Sequence, residues 1–457
     1  MTGSELLILL VPAALGVLLL ALLSLEHLLL LTVFLTPLSL QLSYLTGATG
    51  VDLSIPTEPL LALILFITLF KLIVTREFPG RLLRHPMTVL LVLYLAWTLV
   101  TALTSTMPGV SFKTLAYRTW FITGFYLVTA RLASDDSFSR NYIKAYAAGL
   151  AVVVIYFIVR IQGAGLLNQQ FAHSACYPFY RDHTSFGASM AFIMPPLAVM
   201  LLRKGESLAI RTSLAFMTTV FLAGFILSYS RAAWVSLIAA IVMALILWIR
   251  MPVKLLAFSA AGFILALVLS AGWIWQRMDS TTEDSSADLG RHLRSASNIT
   301  TDQSNLERIN RWRCALRMFH EKPVAGWGPG TYQFNYGPFQ KNSERTTIST
   351  DFGDAGNAHS EYLGALSESG LPGALLFLLM TLYAVCMGIR VWYEERRSTE
   401  GYFALAIVTG LITYVVHGLM NSFLDSDKIA SLWWGYMAIL AAMDIRQKER
   451  AVTGKGE

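Results

Sequence analysis

The stretch Gly356-Asn357-Ala358-His359-Ser360-Glu361-Tyr362-Leu363, running on to Gly370-Leu371-Pro372-Gly373, decides how this chain is read. It closes an 86-residue polar segment, 275–360, set in a chain that is otherwise strongly apolar. One histidine, His359, stands where that segment returns to apolar sequence, among residues that turn easily and hydrogen-bond. Upstream in the same segment lies an arginine-rich helical pattern. A neutral imidazole beside fixed cations at a membrane surface suits chemistry on an anionic, lipid-linked substrate.

Working outward, 55% of the 457 residues are hydrophobic and 14% are charged, against about 25% charged in a soluble domain. The apolar residues come in runs of about 17–20, the length that crosses about 30 Å of hydrocarbon as helix. Alternating strands of an outer-membrane barrel are not seen. The fold class is therefore an all-α polytopic membrane protein. Spans are expected at 5–23, 27–44, 59–74, 87–104, 113–129, 142–159, 186–202, 212–227, 232–249, 255–274, 371–388, 402–420 and 429–443. Only Glu26 and His27 separate the first two, so the count is 12 or 13. The expected organisation is an N-terminal membrane bundle (1–274), a loop domain (275–360) and C-terminal spans with a tail (361–457).

Lysine and arginine collect in alternate short loops, such as Arg76, Arg81 and Arg84, then Arg131, Arg140 and Lys144, then Arg446, Lys448 and Arg450. By the positive-inside rule these loops face the cytoplasm and the 275–360 loop faces out. The net charge of +6 reflects this bias and implies no nucleic-acid partner. There is no Walker or dinucleotide fingerprint. No internal repeat supports a transporter of two inverted halves. A lipid-carrier flippase is the rival of another class, but it needs charge through the bundle centre rather than at one mouth. Cys176 and Cys314 both fall in outer segments, where they either pair or remain small buried hydrophobes.

The loop carries ten Lys/Arg and ten Asp/Glu, yet 291–322 holds seven against three. Ser304-Asn305-Leu306-Glu307 reads as a capping box opening a helix that ends near Glu321, before Pro323 and Gly326. Its apolar stripe is Ile309, Trp312, Leu316 and Phe319, flanked by Arg308 and Arg311 on one side and Arg313 and Arg317 on the other. Such a helix can lie on the membrane with its guanidiniums around a headgroup.

His359 is the candidate acid–base residue, the alternative being a histidine that orders its loop. Arg231 follows Ser228-Tyr229-Ser230 at a span junction, and is a candidate phosphate ligand or an interfacial anchor. Arg308 and Arg311 are candidate ligands for a second phosphate, or members of a solvated face. Arg181 and His183 form a further polar cluster at the same end, and Glu368 and His417 lie near span ends. Glu361 or Glu368 can orient the imidazole, but Glu361 reads first as a first-turn helix residue. A metal site at His173, Asp182 and His183 matches no known ligand spacing, so no metal or other cofactor is expected.

Taken in order, Ser230-Arg231-Ala232-Ala233-Trp234, Arg308-Ile309-Asn310-Arg311-Trp312, Pro323 to Gly330, and His359-Ser360-Glu361-Tyr362-Leu363 with Glu368 to Gly373 resemble the O-antigen ligase and O-antigen polymerase superfamily. The resemblance covers about 228–373; earlier spans match in hydropathy alone. It implies a metal-independent, inverting glycosyl transfer at the periplasmic face of the bacterial inner membrane. The donor would be a glycan on undecaprenyl diphosphate, and the acceptor lipid A–core (ligase) or another lipid-linked glycan (polymerase). Arg231 with Arg308 or Arg311 would hold the diphosphate, and His359 would activate the acceptor hydroxyl.

Overall fold

A computed structural model describes residues 15–46 apart from 18 and 22, then 53–75, 80–203, 206–249, 303–352, 356–395 and 398–453. The expected spans at 255–274 and, for the most part, 5–23 lie outside these residues, as does the Ser/Asp-rich start of the polar loop.

The described chain is helical apart from a two-residue ladder, β1 (Leu40–Gln41) against β2 (Ser54–Ile55). Its principal helices are α1 (Leu25–Leu35), α2 (Thr57–Val74), α3 (Pro86–Leu103), α4 (Pro108–Phe121), α5 (Asp136–Ala164) and α6 (His183–Leu202). They continue with α7 (Leu208–Leu227), α8 (Arg231–Trp248), α9 (Gln303–Glu321), α10 (Glu361–Glu395), α11 (Thr399–His417) and α12 (Asp427–Thr453). Eight of them, α2, α3, α5 to α8, α10 and α11, are long and apolar enough to cross a membrane. This is a multi-pass, all-α membrane protein.

Two expected spans take less regular forms. α4 runs through a π-helical segment, Ile122–Val128, into Thr129–Leu132, with Gly124 set against Leu61 and Ile64 of α2. α12 is among the most buried helices of the bundle, with Ile429 to Met443 enclosed on every side. Its core role explains why it mixes aromatic and small residues rather than presenting a lipid-facing stripe. α11 packs against α6, α8 and α10, and α10 packs against α3 and α12.

The ion pairs define two ends. At one, Arg81 meets Glu449, Arg390 meets Asp444, Arg446 meets Asp136, and Arg450 meets Glu395 and Glu400. At the other stand the junctions before α6, α8 and α10 and after α11. Alternating helix direction brings these four chain-distant junctions together.

α10 is two helical pieces joined at Gly370, which adopts φ 64°. A side chain there would collide with the Val324 carbonyl, and Leu371 N donates to Pro323 O at 2.9 Å. Only glycine takes this left-handed conformation cheaply while letting another backbone approach so closely. The loop thereby docks onto the helix that returns to the membrane. The turn Trp327-Gly328-Pro329-Gly330 adds to the joint. Trp327 N donates to Ser367 O (3.1 Å) and Gly328 N to Glu368 O (2.9 Å), while Thr106 N donates to Trp327 O (3.2 Å).

Cys176 and Cys314 are both buried and unpaired. They are small core residues, not a disulfide.

Candidate functional site

The site is built from the four junctions and from α9, which lies across α10. Gln303–Glu321 is helical as the periodicity requires, but Ser304 lies inside the helix rather than capping it. Glu307 is held from the far side of the loop. It accepts from Arg311 Nε at 2.6 Å, and from the hydroxyls of Thr346 (2.8 Å) and Ser349. The buried face also differs from the expected stripe. Of the stripe Ile309 is buried, and Glu307, Asn310, Arg311, Cys314, Ala315 and Met318 are buried with it, the last three packing against Tyr332, Tyr336 and Ala358. Polar residues face inward here because the distal strand of the loop supplies their partners.

This bears on the arginines. Arg311 is 3% exposed, paired with Glu307, bonded to Thr350 Oγ1 at 2.9 Å and stacked 3.9 Å over the Tyr336 ring. Burial opposes the ionisation of Glu307. Hydrogen bonds from Ser349, Arg311 and Thr346 outweigh it and hold the carboxylate below its ordinary range. Arg313 and Arg317 both turn to Glu344. Arg308 is half-buried, and its Nη1 donates to Asn305 Oδ1 at 3.0 Å. Its positive field reaches the rings of His183, His359 and His417. Of the two arginines that the sequence offered as phosphate ligands, Arg311 is thus a structural clamp, and Arg308 is the one beside the histidines.

Arg231 opens α8 after a tight junction in which Tyr229 takes φ 51° and Ser230 N donates to Ser228 Oγ at 3.4 Å. Gly187 of α6 packs directly on that turn, where an added Cβ would stand 2.6 Å from Ser230 Cβ. The start of α6 is thereby held against the start of α8, and the charges of both Arg231 and Arg308 act on His183. His173 stacks on His183 with ring centroids 3.9 Å apart. Asp182, considered above with these histidines as a metal ligand, instead caps α6 by accepting from Thr184 N and Ser185 N, each at 2.8 Å.

His359 itself adopts φ 48°. Its N–H donates to Asn357 Oδ1 (3.0 Å), Asn357 Nδ2 donates to Ser422 O (2.9 Å), and Trp312 Nε1 donates to His359 O (3.0 Å). Gly356 sits against Arg311 and Tyr336, leaving no room for a side chain. The histidine is therefore locked from the loop helix, from its own turn and from the segment after α11. Partial burial and the charges of Arg308 and Arg311 bring its pKa down to about 3, so the ring is neutral at physiological pH. The sequence analysis assigned Trp312 to an apolar stripe. Its indole instead positions the His359 backbone, a role for which a tryptophan in a helix gives no local signal.

Three expected participants are placed elsewhere. Glu368 points away from the imidazole. Its two oxygens accept from Gly330 N and Tyr332 N, both at 3.0 Å, which clamps the Trp327–Gly330 turn. Glu361 accepts from Tyr414 OH, Phe423 N (2.7 Å) and Leu424 N (2.9 Å), tying α10 to the 421–424 segment. Arg181 is exposed and donates to Gln41 Oε1 at 3.1 Å, while His183, two residues on, faces the arginines. His417 is buried at the end of α11, 3.2 Å from Asn421 Nδ2 through its Nε2.

Residues 215–378 match the family model described as O-antigen ligase. Over that segment the chain is similar to the O-antigen ligase family. No curated protein matches it. The ligase-family segment contains Arg231, Arg308, Arg311, His359 and Glu368, whereas Arg181 and His183 precede it. The similarity supports a glycosyltransferase-like activity on lipid-linked glycans.

Proposed function

We propose that this protein is a metal-independent, inverting membrane glycosyltransferase of the O-antigen ligase type. It would move a glycan from undecaprenyl diphosphate to a hydroxyl of lipid A–core at the periplasmic face of the bacterial inner membrane, with the 275–360 loop as the substrate-facing unit. What supports the reading is that Arg308 acts on the rings of both His359 and His183, that Arg231 acts on His183, and that Gly187 packs the start of α6 onto the turn before α8.

In this reading Arg231 and Arg308 hold the donor diphosphate, as guanidiniums hold phosphate oxygens in charge-assisted pairs. His359 accepts the acceptor's proton while the hydroxyl oxygen attacks the anomeric carbon. The bond from that carbon to the phosphate oxygen breaks, and its electron pair leaves with undecaprenyl diphosphate. The arginines stabilise the charge gathering on the leaving group. Arg308 and Arg311 disfavour an imidazolium at His359. A bound diphosphate offsets their charge and makes His359 a better base once donor is present. Attack opposite the diphosphate inverts the anomeric centre. Polymerase chemistry would use the same donor site with a second lipid-linked glycan as acceptor.

The test is transfer by purified protein, in the presence of a chelator, from an undecaprenyl-diphosphate glycan with or without lipid A–core. Labelled lipid A–core, lost in Arg231→Ala and His359→Ala, is the expected result. Longer lipid-linked chains without lipid A–core would make the protein a polymerase. No transfer to either acceptor from a native donor would overturn the reading.

A further inference from the structure

The opposite end of the bundle holds a feature that glycosyl transfer does not use. A cavity of about 630 Å³ opens between the short Gly80–Leu83 helix, the end of the α4 path and the end of α12. Its inner wall is apolar: Leu82 is buried, and Ala130, Ala442 and Ile445 adjoin it. Its polar groups are Arg81, Arg131, Arg446 and the Ser134 hydroxyl, with Glu449 the one carboxylate of the lining.

These arginines are not equivalent. Arg81 is paired with Glu449, and Arg446 is held by Asp136 and the Ala133 carbonyl. Arg131 is half-buried in the wall, and its guanidinium makes no hydrogen bond or ion pair among the described residues. A guanidinium at the end of a membrane bundle, beside an apolar wall and without a carboxylate, is costly unless an anion joins it. Leu83, 43% exposed next to the cavity, continues the apolar surface toward the lipid. Cationic rim, apolar wall and position at the ends of the spans together match an amphiphile rather than a soluble anion.

We propose that this cavity binds the phosphodiester headgroup of an anionic phospholipid, with Arg131 as the principal phosphate ligand and Arg81 and Arg446 flanking it. The lipid would brace the short Gly80–Leu83 helix against α12.

The experiment measures thermal stability and lipid retention of the purified full chain in neutral detergent. Phosphatidylglycerol, phosphatidylcholine and inorganic phosphate are added separately. Phosphatidylglycerol is expected to bind and stabilise the chain, and phosphatidylcholine and phosphate to do so far less. Arg131→Gln should weaken phosphatidylglycerol binding about tenfold, the effect of one charge-assisted hydrogen-bonding group, whereas Arg131→Lys should keep most of it. Ser134→Trp, which fills the cavity without altering charge, should also lose the lipid. The proposal is overturned if Arg131→Gln binds phosphatidylglycerol as the wild type does, if Ser134→Trp retains it, or if phosphatidylcholine binds equally well. It is overturned too if inorganic phosphate alone gives the whole shift, since the ligand is then a free anion.

Discussion

The two ends of the bundle use arginine in opposite ways. At the basic end the guanidiniums face carboxylates, as in Arg390 with Asp444 and Arg450 with Glu395 and Glu400. At the other end the field of Arg308 reaches the imidazoles of His183, His359 and His417, and that of Arg231 reaches His183. Facing a carboxylate, an arginine is largely neutralised and serves architecture. Beside an imidazole such as that of His359, an arginine's charge disfavours a second cation and keeps the ring neutral. The same contrast runs along the single helix α9, where Arg311 faces Glu307 and Arg308 faces the histidines.

The sharpest way to break this comparison is to remove one arginine from each end. Arg231→Ala and Arg308→Ala are expected to lower transfer by about 10²–10³-fold, the usual effect of deleting one group that stabilises leaving-group charge. Arg450→Ala, partly exposed and paired at the basic end, should leave transfer within about threefold, in line with the small worth of exposed ion pairs. Equal losses at both ends would show that the arginines act through folding alone.

His359→Ala should cost about 10²-fold or more in turnover, the range of a lost acid–base group. Donor binding, measured with a non-reacting lipid diphosphate, should be kept. Loss of donor binding instead would assign His359 to the phosphate site.

Arg311→Ala separates clamp from ligand. It leaves Glu307 buried without its cation, a change that costs about 3–5 kcal/mol in comparable pairs. Limited proteolysis should therefore open the loop in Arg311→Ala and not in Arg308→Ala. A stable loop with lost donor binding would restore Arg311 as a diphosphate ligand.

Acid sensitivity gives a smaller signal. His359 has its folded-state pKa lowered to about 3, against an ordinary value near 6.5. Between these values the unfolded chain binds the extra proton, so the contribution of the neutral ring is fully present above about pH 6.5 and is lost as pH falls toward 3. His359→Gln should make the decline in melting temperature below pH 6 shallower, and an unchanged slope would count against the neutral buried ring. Glu368→Gln carries the smallest effect. One of the two backbone amides it binds would meet an NH2 group, a loss of about 1–2 kcal/mol, read as a lowered melting temperature with nearly normal transfer at permissive temperature.

The sequence reading went furthest where the signal was local. Helix class, the loop helix and the tight turn around His359 follow from apolar run length, periodicity, the Asn357 side chain and the absence of one at Gly356. It failed where partners come from far along the chain. Glu361 and Glu368 are carboxylates next to the histidine motif; Glu361 does open α10, as its reading as a first-turn residue requires, but the distant partners of both could not be read locally. Both bind backbone amides from 423–424 and 330–332. Trp312 followed the apolar stripe, yet its indole nitrogen binds a carbonyl 47 residues away.

What the sequence by itself determined is that this chain is a helical membrane protein, because hydrocarbon thickness and helical period act residue by residue along the chain. What only the tertiary structure decided is which arginine serves which purpose. Arg308 and Arg311 sit less than one turn apart in the same helix, and only the folding of Thr346, Ser349 and Thr350 onto its inner face commits Glu307 and Arg311 to each other. Arg308 is left beside the histidines, because burial and pairing depend on neighbours that local spacing cannot name.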